Sequence, residues 1–365
     1  MIPDCTLTTA CFDLTPYNKF SRDKNTTLNN IKSLLEVPCY LVIYTDTYYY
    51  SNIFELRKKY NMLTHYIITN LESLNTFKYL QNIKENRIKY HPTKDERTSA
   101  ETHLLCSSKF ELVLNTINTN PFNTTKFGWI DSNVGLNFSK ICINYKHNML
   151  LKLLKQCNEN KFYLQILNAC DPKLLLNLRS YYSEYRWVVC GCLFITPKEI
   201  GIKILTKLNE IFINHTFEGY GHGEEMYYLE LLYSHKEDLH VSYGDYKHIL
   251  NNFIKPTEGM EYIEYVSSGF LNNKQYNECI QCCEKVIKEY DNFEIEINYV
   301  LYFNLLFNYY ISYFYVNKAM CKEIIDKIYK LININDSVHD HYNRNKDFYD
   351  SQFKFVYTKN IYNNI

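Results

Sequence analysis

The order of apolar and polar positions divides the chain into two parts. Residues 6–14 (TLTTACFDL) alternate as a strand does, and 37–46 (VPCYLVIYTD) is a short continuous apolar run closing on Asp46, the pattern of a parallel strand buried on both faces. Between them TTLNNIKSLLE (26–36) has a helical period, with Thr26 or Thr27 placed to cap it. FELRKKY (54–60) reads as a helix and 64–74 as a third strand with its following turn. A polar stretch from about 82 to 99 reads as a surface excursion. A longer helix is expected over 100–120, ended by Pro121, and a strand over 125–135 (TKFGWIDSNVG). Alternation of strand and helix predicts a doubly wound α/β sheet. Further segments continue the pattern to a last strand at LHVSYGD (239–245), so the first domain is set at 1–255.

From about Pro256 the pattern changes to helices, and 256–365 is assigned to a separate all-α region. Two adjacent helical segments with Asn272 to Gln275 as the turn resemble a tetratricopeptide-type unit. One repeat and part of a second cannot form a long solenoid, so they are expected to pack either on the first domain or on a second copy of the chain, the second case giving a homo-oligomer. The uncharged run 297–317 is long enough to span a membrane. Asn304, Asn308 and Ser312, however, fall four apart as one polar stripe, which a lipid-facing helix would avoid, so no transmembrane span is expected.

Composition narrows the functions. Forty basic residues balance forty acidic ones, leaving no global field to draw in nucleic acid, and no nucleic-acid partner is expected. Thirteen Cys are scattered; the tight groups, Cys190/Cys192 and Cys279/Cys282/Cys283, lack a second pair at zinc-site spacing and read as reduced packing thiols. With no charged and apolar leader in MIPDCTLTTACFDL, a cytoplasmic protein is expected. The excess of Tyr, Asn, Ile and Lys reads as the mark of an AT-rich genome.

The segment FGWIDSNVG (127–135) carries the most chemistry. A strand-terminal acid with a second oxygen ligand two residues on can hold Mn²⁺ or Mg²⁺ together with a diphosphate, so Asp131 and Asn133 would fill the positions of a DxD-like motif. Asn133 is neutral, which weakens metal binding or leaves it to Asp131 and the nucleotide; a turn cap is the ordinary alternative. Gly191, inside VVCGCLFI, points to close approach by a ligand or by another strand, with a packing glycine as the ordinary alternative. Glu224 and Glu225 follow a Gly-rich turn at the start of a helix, where negative charge is favoured on electrostatic grounds alone.

Several of these runs together, SKFELVLNTINTNPFNTTKFGWIDSNVG (108–135), TTACFDL (8–14), YLVIYTD (40–46) and HKEDLHVSYGDY (235–246), resemble the HtrL/YibB family of bacterial and viral proteins, itself similar to GT-A glycosyltransferases. The resemblance spans roughly residues 6–253 and implies a GT-A-like mixed sheet flanked by helices. It also implies a metal-dependent transfer of sugar from a nucleotide-sugar donor, with a UDP-sugar the first to expect, to an unidentified glycan or protein acceptor. On that basis Thr9, Asp46 and Arg57 would line the nucleotide site, with Arg57 near the phosphates, although a solvated helix face serves Arg57 equally well. Gly191 would face donor and acceptor. Glu224 or Glu225 would remove the acceptor proton, the choice leaning to Glu225, and His240 or His248 would complete the metal site. Two other readings stand beside this one: a non-catalytic binding protein that has lost its second acid, and a nucleotidyltransferase, whose phosphate loop is not visible in TTACFDLTPYNKF.

Overall fold

The computed structural model describes residues 2–90, 96–134, 147–221, 223–246, 249–250, 260–290, 298–317 and 321–353. The chain divides into two compact units: Met1–Ile166 with Pro172–Val241 and Tyr246–Ile254, and Leu167–Asp171 with Ser242–Asp245 and Lys255–Ile365.

The first unit is built on a mixed sheet of seven strands in the order β3-β2-β1-β4-β6-β5-β7. Strand β1 (Cys5–Cys11) is buried at every position, as its place in the middle of the sheet requires. Helix α1 (Lys24–Leu35) follows, capped by Asp23 rather than by Thr26 or Thr27: the Asp23 carboxylate accepts from the Thr26 N–H at 3.0 Å and from the Thr26 hydroxyl at 2.7 Å. Strand β2 (Tyr40–Thr45) leads directly into α2 (Thr47–Arg57). The aromatic run TYYYSN, which favours a strand by propensity, is helical because Asp46 caps it and Tyr49 and Ile53 seat in the core. Strand β3 (Thr64–Ile68) completes one edge, parallel to β2.

Helix α3 (Leu80–Lys89) occupies the stretch expected to be an irregular excursion. Its pattern is too polar to signal a helix, and tertiary hydrogen bonds hold it: the buried Asn86 amide donates to the Thr216 and Tyr220 carbonyls, and Arg87 donates to the Thr98 carbonyl. Helix α4 (Ala100–Thr119) is capped by Ser99 and ends on Asn120 in the left-handed conformation. Strand β4 (Lys126–Ile130) then joins β1 in parallel on the side away from β2. After α5 (His147–Gln156) come β5 (Phe162–Ile166) and β6 (Leu193–Pro197), and β6 runs antiparallel to both β4 and β5. Helices α6 (Lys198–Phe217) and α7 (Tyr228–Ser234) precede β7 (Leu239–Tyr243).

Because β1 leads to β2 on one side while β4 enters on the other, right-handed crossovers require α1 and α2 on one face and α4 on the opposite one. The packing agrees, with α1 against α2 and α4 against α6, β1 and β4. The fold therefore has a topological switch point between the carboxyl ends of β1 and β4, the usual place for a ligand in an open α/β sheet.

In the second unit α8 (Met260–Asn272), α9 (Tyr276–Tyr290) and α10 (Tyr299–Asn317) pack on one another, followed by α11 (Lys322–Ile334) and α12 (Asp336–Arg344). The polar stripe on α10 points inward: the Asn308 amide donates to the Ser267 and Ser268 hydroxyls at 3.0 and 2.9 Å, while Asn304 meets His341 and Tyr349. Cys279, Cys282 and Cys283 are fully buried packing thiols. Among the described residues no helix is long and apolar enough to cross a membrane.

Candidate functional site

A cavity of about 280 Å³ opens at the switch point. Its floor is the end of β1 (Ala10, Cys11, Phe12) and the end of β4 (Trp129, Asp131, Ser132, Asn133); Arg22, Arg97, Thr98, Thr102, Cys106 and Lys109 contribute to its walls. Strand periodicity puts Trp129 and Asp131 on the same face. The Trp129 indole N–H donates to the Asp131 carboxylate, and the Asp131 side chain keeps about a third of its surface exposed, 36%.

Lys109 organises what lies behind Asp131. It sits on the inward stripe of α4 with Phe110, Leu112, Val113 and Thr116, a position that ordinarily takes an apolar side chain. Its ammonium is 3.5 Å from the Asp131 Oδ1, 2.6 Å from the Glu224 Oε1, 2.8 Å from the Gly191 carbonyl and 5.4 Å from the centre of the Trp129 ring. Burial, the largest influence, favours loss of its proton, yet the Asp131 and Glu224 carboxylates outweigh it and hold the Lys109 pKa well above the ordinary lysine value. Lys109 is therefore a fixed positive charge.

Glu225, next in sequence, has a different environment. Its Oε2 accepts from the Tyr185 hydroxyl at 2.9 Å and its Oε1 from the Tyr246 hydroxyl. Burial first, and the neighbouring Glu224 second, push the Glu225 pKa up to about 8. Two adjacent carboxylates thus differ: Glu224 is ion-paired, and Glu225 stays protonated up to about neutral pH. The segment Cys190–Cys192 closes the arrangement, since the Asp131 N–H donates to the Cys192 carbonyl at 2.9 Å. A Cβ at Gly191 would stand 2.5 Å from the Glu224 Oε1 and 3.3 Å from the Lys109 Nζ. That residue is glycine because the carboxylate lies against its backbone.

The residues expected from sequence thus separate into groups. Asp131 and Asn133 line the cavity, and the Asn133 Oδ1 accepts from the Asn30 amide at 3.2 Å. Gly191, Glu224 and Glu225 join them through Lys109. Asp46 lies at the carboxyl end of β2, where both carboxylate oxygens accept backbone N–H groups, from Tyr49 at 3.0 Å and Asp13 at 2.5 Å; its place is a helix cap tying down the loop after β1. Thr9 is buried on the face of β1 opposite Ala10, outside the cavity lining.

Arg57 lies at the other end of the sheet. Its guanidinium donates to the Leu35, Val37 and Cys39 carbonyls, all just ahead of β2, and to the Thr64 hydroxyl, so its donors are used far from the cavity. His240 also lies at that end. It stacks on Tyr163 and meets Glu159 at 3.2 Å, beside Asn158, which accepts from Lys126 at the start of β4. His248 lies outside the described residues. Among the described residues no group of three or more His, Cys, Asp or Glu is arranged to hold a metal ion.

Sequence reasoning passed over Lys109, Arg22, Arg97, Tyr185 and Tyr246. For Lys109 a signal existed: it falls three and four residues before Leu112 and Val113, inside the apolar stripe of its helix. The two tyrosines had none, being lost among 36.

Comparisons with known proteins touch this region. No curated protein matches the chain. A solved structure, mouse xyloside xylosyltransferase 1 in its apo form, is 12% identical with a TM-score of 0.37, the match covering 66% of this chain and 85% of that one. Residues 3–155, which run from β1 to α5 and include Lys109, Asp131 and Asn133, match the model of a family described as a bacterial protein of unknown function, HtrL_YibB.

Proposed function

We propose that this chain transfers a glycosyl group from a nucleotide-sugar donor to an acceptor hydroxyl. The observation that carries the reading is Asp131, a strand-terminal carboxylate lining a cavity on the switch point between β1 and β4. Arg22 and Arg97 in the cavity wall supply cationic donors suited to a diphosphate, and Ser21, Thr27, Thr98 and Thr102 supply hydroxyls around it. The volume, about 280 Å³, suits part of a nucleotide sugar, with the remainder outside the cavity.

A divalent cation fits this donor set as a one-carboxylate site. The Asp131 Oδ1 faces Trp129 and Lys109 and the Asn133 Oδ1 accepts from Asn30, so the Asp131 Oδ2, with the second lone pair of the Asn133 oxygen, would be what the protein offers a cation. Manganese or magnesium bound there would neutralise the diphosphate leaving group. Lys109 keeps Asp131 and Glu224 at fixed separation. Glu225 is the favoured general base, because a group that titrates near 8 is matched to work near neutral pH whereas Glu224 is held as an ion pair. For an acceptor hydroxyl to reach Glu225, the Tyr185 or Tyr246 hydroxyl must give up its place.

A non-catalytic sugar-nucleotide binder is the second reading, favoured by the neutral Asn133 and by the Lys109 ammonium beside Asp131. Turnover of UDP-, GDP- and CMP-sugars with and without manganese, with Asp131→Ala as control, separates the two. Transfer that depends on Asp131 is expected; turnover indifferent to both manganese and Asp131 removes the mechanism. Saturable binding without turnover, read as about 2.7 kcal/mol of added stability at a hundred times the dissociation constant, supports the binder.

A further inference from the structure

Helix α1 carries a polar side chain on its buried stripe. Asn30 is 7% exposed and stands between Thr27, which lines the cavity, and Ile31 and Leu34, which are fully buried. Asparagine is a poor helix former, and an amide taken out of water costs free energy unless a partner receives it. It is not the cap of the helix, a place held by Asp23. Among the described residues the Asn30 side chain has one hydrogen-bond partner, Asn133, to whose Oδ1 its Nδ2 donates at 3.2 Å.

Asn133 lines the cavity two residues after Asp131, where a second acid would be the usual companion. With its oxygen engaged by α1, its Nδ2 keeps two N–H donors for which no described residue is an acceptor. An aspartate at 133 could accept from Asn30 as well, but it would bring no donor. The charged residues in the cavity lining are Arg22, Arg97 and Lys109 against the single carboxylate of Asp131, a balance that favours an anion.

We infer that Asn30 is a positioning residue: it holds the Asn133 amide with its oxygen toward α1, so that the N–H donors serve a phosphate in the cavity. The phosphate rests on the glycosyl-transfer reading above, whereas the pairing of the two amides does not. A cation shared with that phosphate would be held chiefly by the Asp131 Oδ2.

Calorimetric affinities of the full chain for UDP, GDP, CMP and inorganic pyrophosphate, with manganese present, test this. The proteins are the wild type, Asn133→Ala, Asn30→Leu, Asn30→Asp and the double variant Asn30→Leu with Asn133→Ala. Asn133→Ala should weaken binding about tenfold, the worth of a hydrogen bond to a charged group. Asn30→Leu, which matches the apolar stripe and should unfold no earlier than the wild type, should weaken the same ligand in the same direction. Asn30→Asp has the shape of asparagine and no donor, so it should follow Asn30→Leu. The double variant should bind no more weakly than Asn133→Ala, because Asn30 acts only through that amide. A further loss in the double variant shows a general structural effect and overturns the inference, as does wild-type affinity in Asn30→Leu or Asn30→Asp. Failure of the wild type to bind any of the four probes removes the transfer reading and the phosphate with it; binding that the Asn30 variants leave unchanged removes the positioning role alone.

Discussion

Two cations, Arg57 and Lys109, are buried on helices at opposite ends of one sheet, and they do different work. Arg57 divides its donors among three backbone carbonyls and a threonine hydroxyl, neutral partners that join the end of α1, the start of β2 and β3. Lys109 faces two carboxylates and one carbonyl beside a cavity. Removing a cation from water is expensive in both places. At the first it returns a clamp between chain segments, and at the second a cluster in which one carboxylate pairs with the ammonium and its neighbour accepts from two tyrosine hydroxyls. What separates the two is that the side-chain partners of Lys109 are themselves charged and that one of them, Asp131, reaches solvent.

Substitutions at the two ends break the comparison in different ways. Arg57→Met should cause the largest loss of stability, about 1–3 kcal/mol for each of the three carbonyls left without a donor. Urea titration measures the loss, and nucleotide-sugar affinity in the folded fraction should be unchanged; a weakened affinity would bring Arg57 back to the ligand. Lys109→Met leaves the Asp131 and Glu224 carboxylates uncompensated and should cost about 3–5 kcal/mol, with donor binding lost as well, so the contrast with Arg57 is in binding rather than in stability.

Glu225→Gln should lower transfer by about 10²- to 10⁴-fold while leaving donor affinity intact. The rate of the wild type should rise with pH through an apparent pKa near 8 as Glu225 loses its proton. Stability moves the opposite way. The native pKa is raised above the ordinary 4.5, so the native state binds more protons than the unfolded chain between about 4.5 and 8. The contribution of Glu225 is full below that window and lost as pH rises through it. The wild type should therefore fall in stability relative to Glu225→Gln across that range and run parallel to it above.

Gly191→Ala should have the smallest effect, about 1–3 kcal/mol, because its Cβ displaces the Glu224 carboxylate from Lys109. A differential melting curve checks it. A Gly191→Ala variant as stable and as active as the wild type would mean that the carboxylate moves freely and that the cluster is not rigid.

Much of the fold was legible. β2 announces itself because a central parallel strand is apolar on both faces and β1 because it alternates, and Asp131 stands out because it ends an apolar strand at the switch point. α3 was hidden because its hydrogen bonds to Thr216 and Tyr220 come from more than a hundred residues away. Of the residues singled out in the sequence, Asp131 and Asn133 line the cavity and Glu224 is joined to Asp131 through Lys109, with Glu225 next to it, whereas Asp46 and Arg57 lie outside the lining with their groups bonded to the backbone.

The sequence by itself determined the strands β1, β2, β3, β4 and β7, the long α4 and the strand-terminal carboxylates, since those follow from local periodicity and from which residue ends an apolar run. Only the tertiary structure decided which charges meet. Lys109, Asp131, Gly191 and Glu224 are brought together by α4, β4 and the turns beside β6 and α7, and the difference between Glu224 and Glu225 arises from that assembly. Burial and the distance to an ammonium set a carboxylate's proton affinity, and neither quantity exists until the chain has folded.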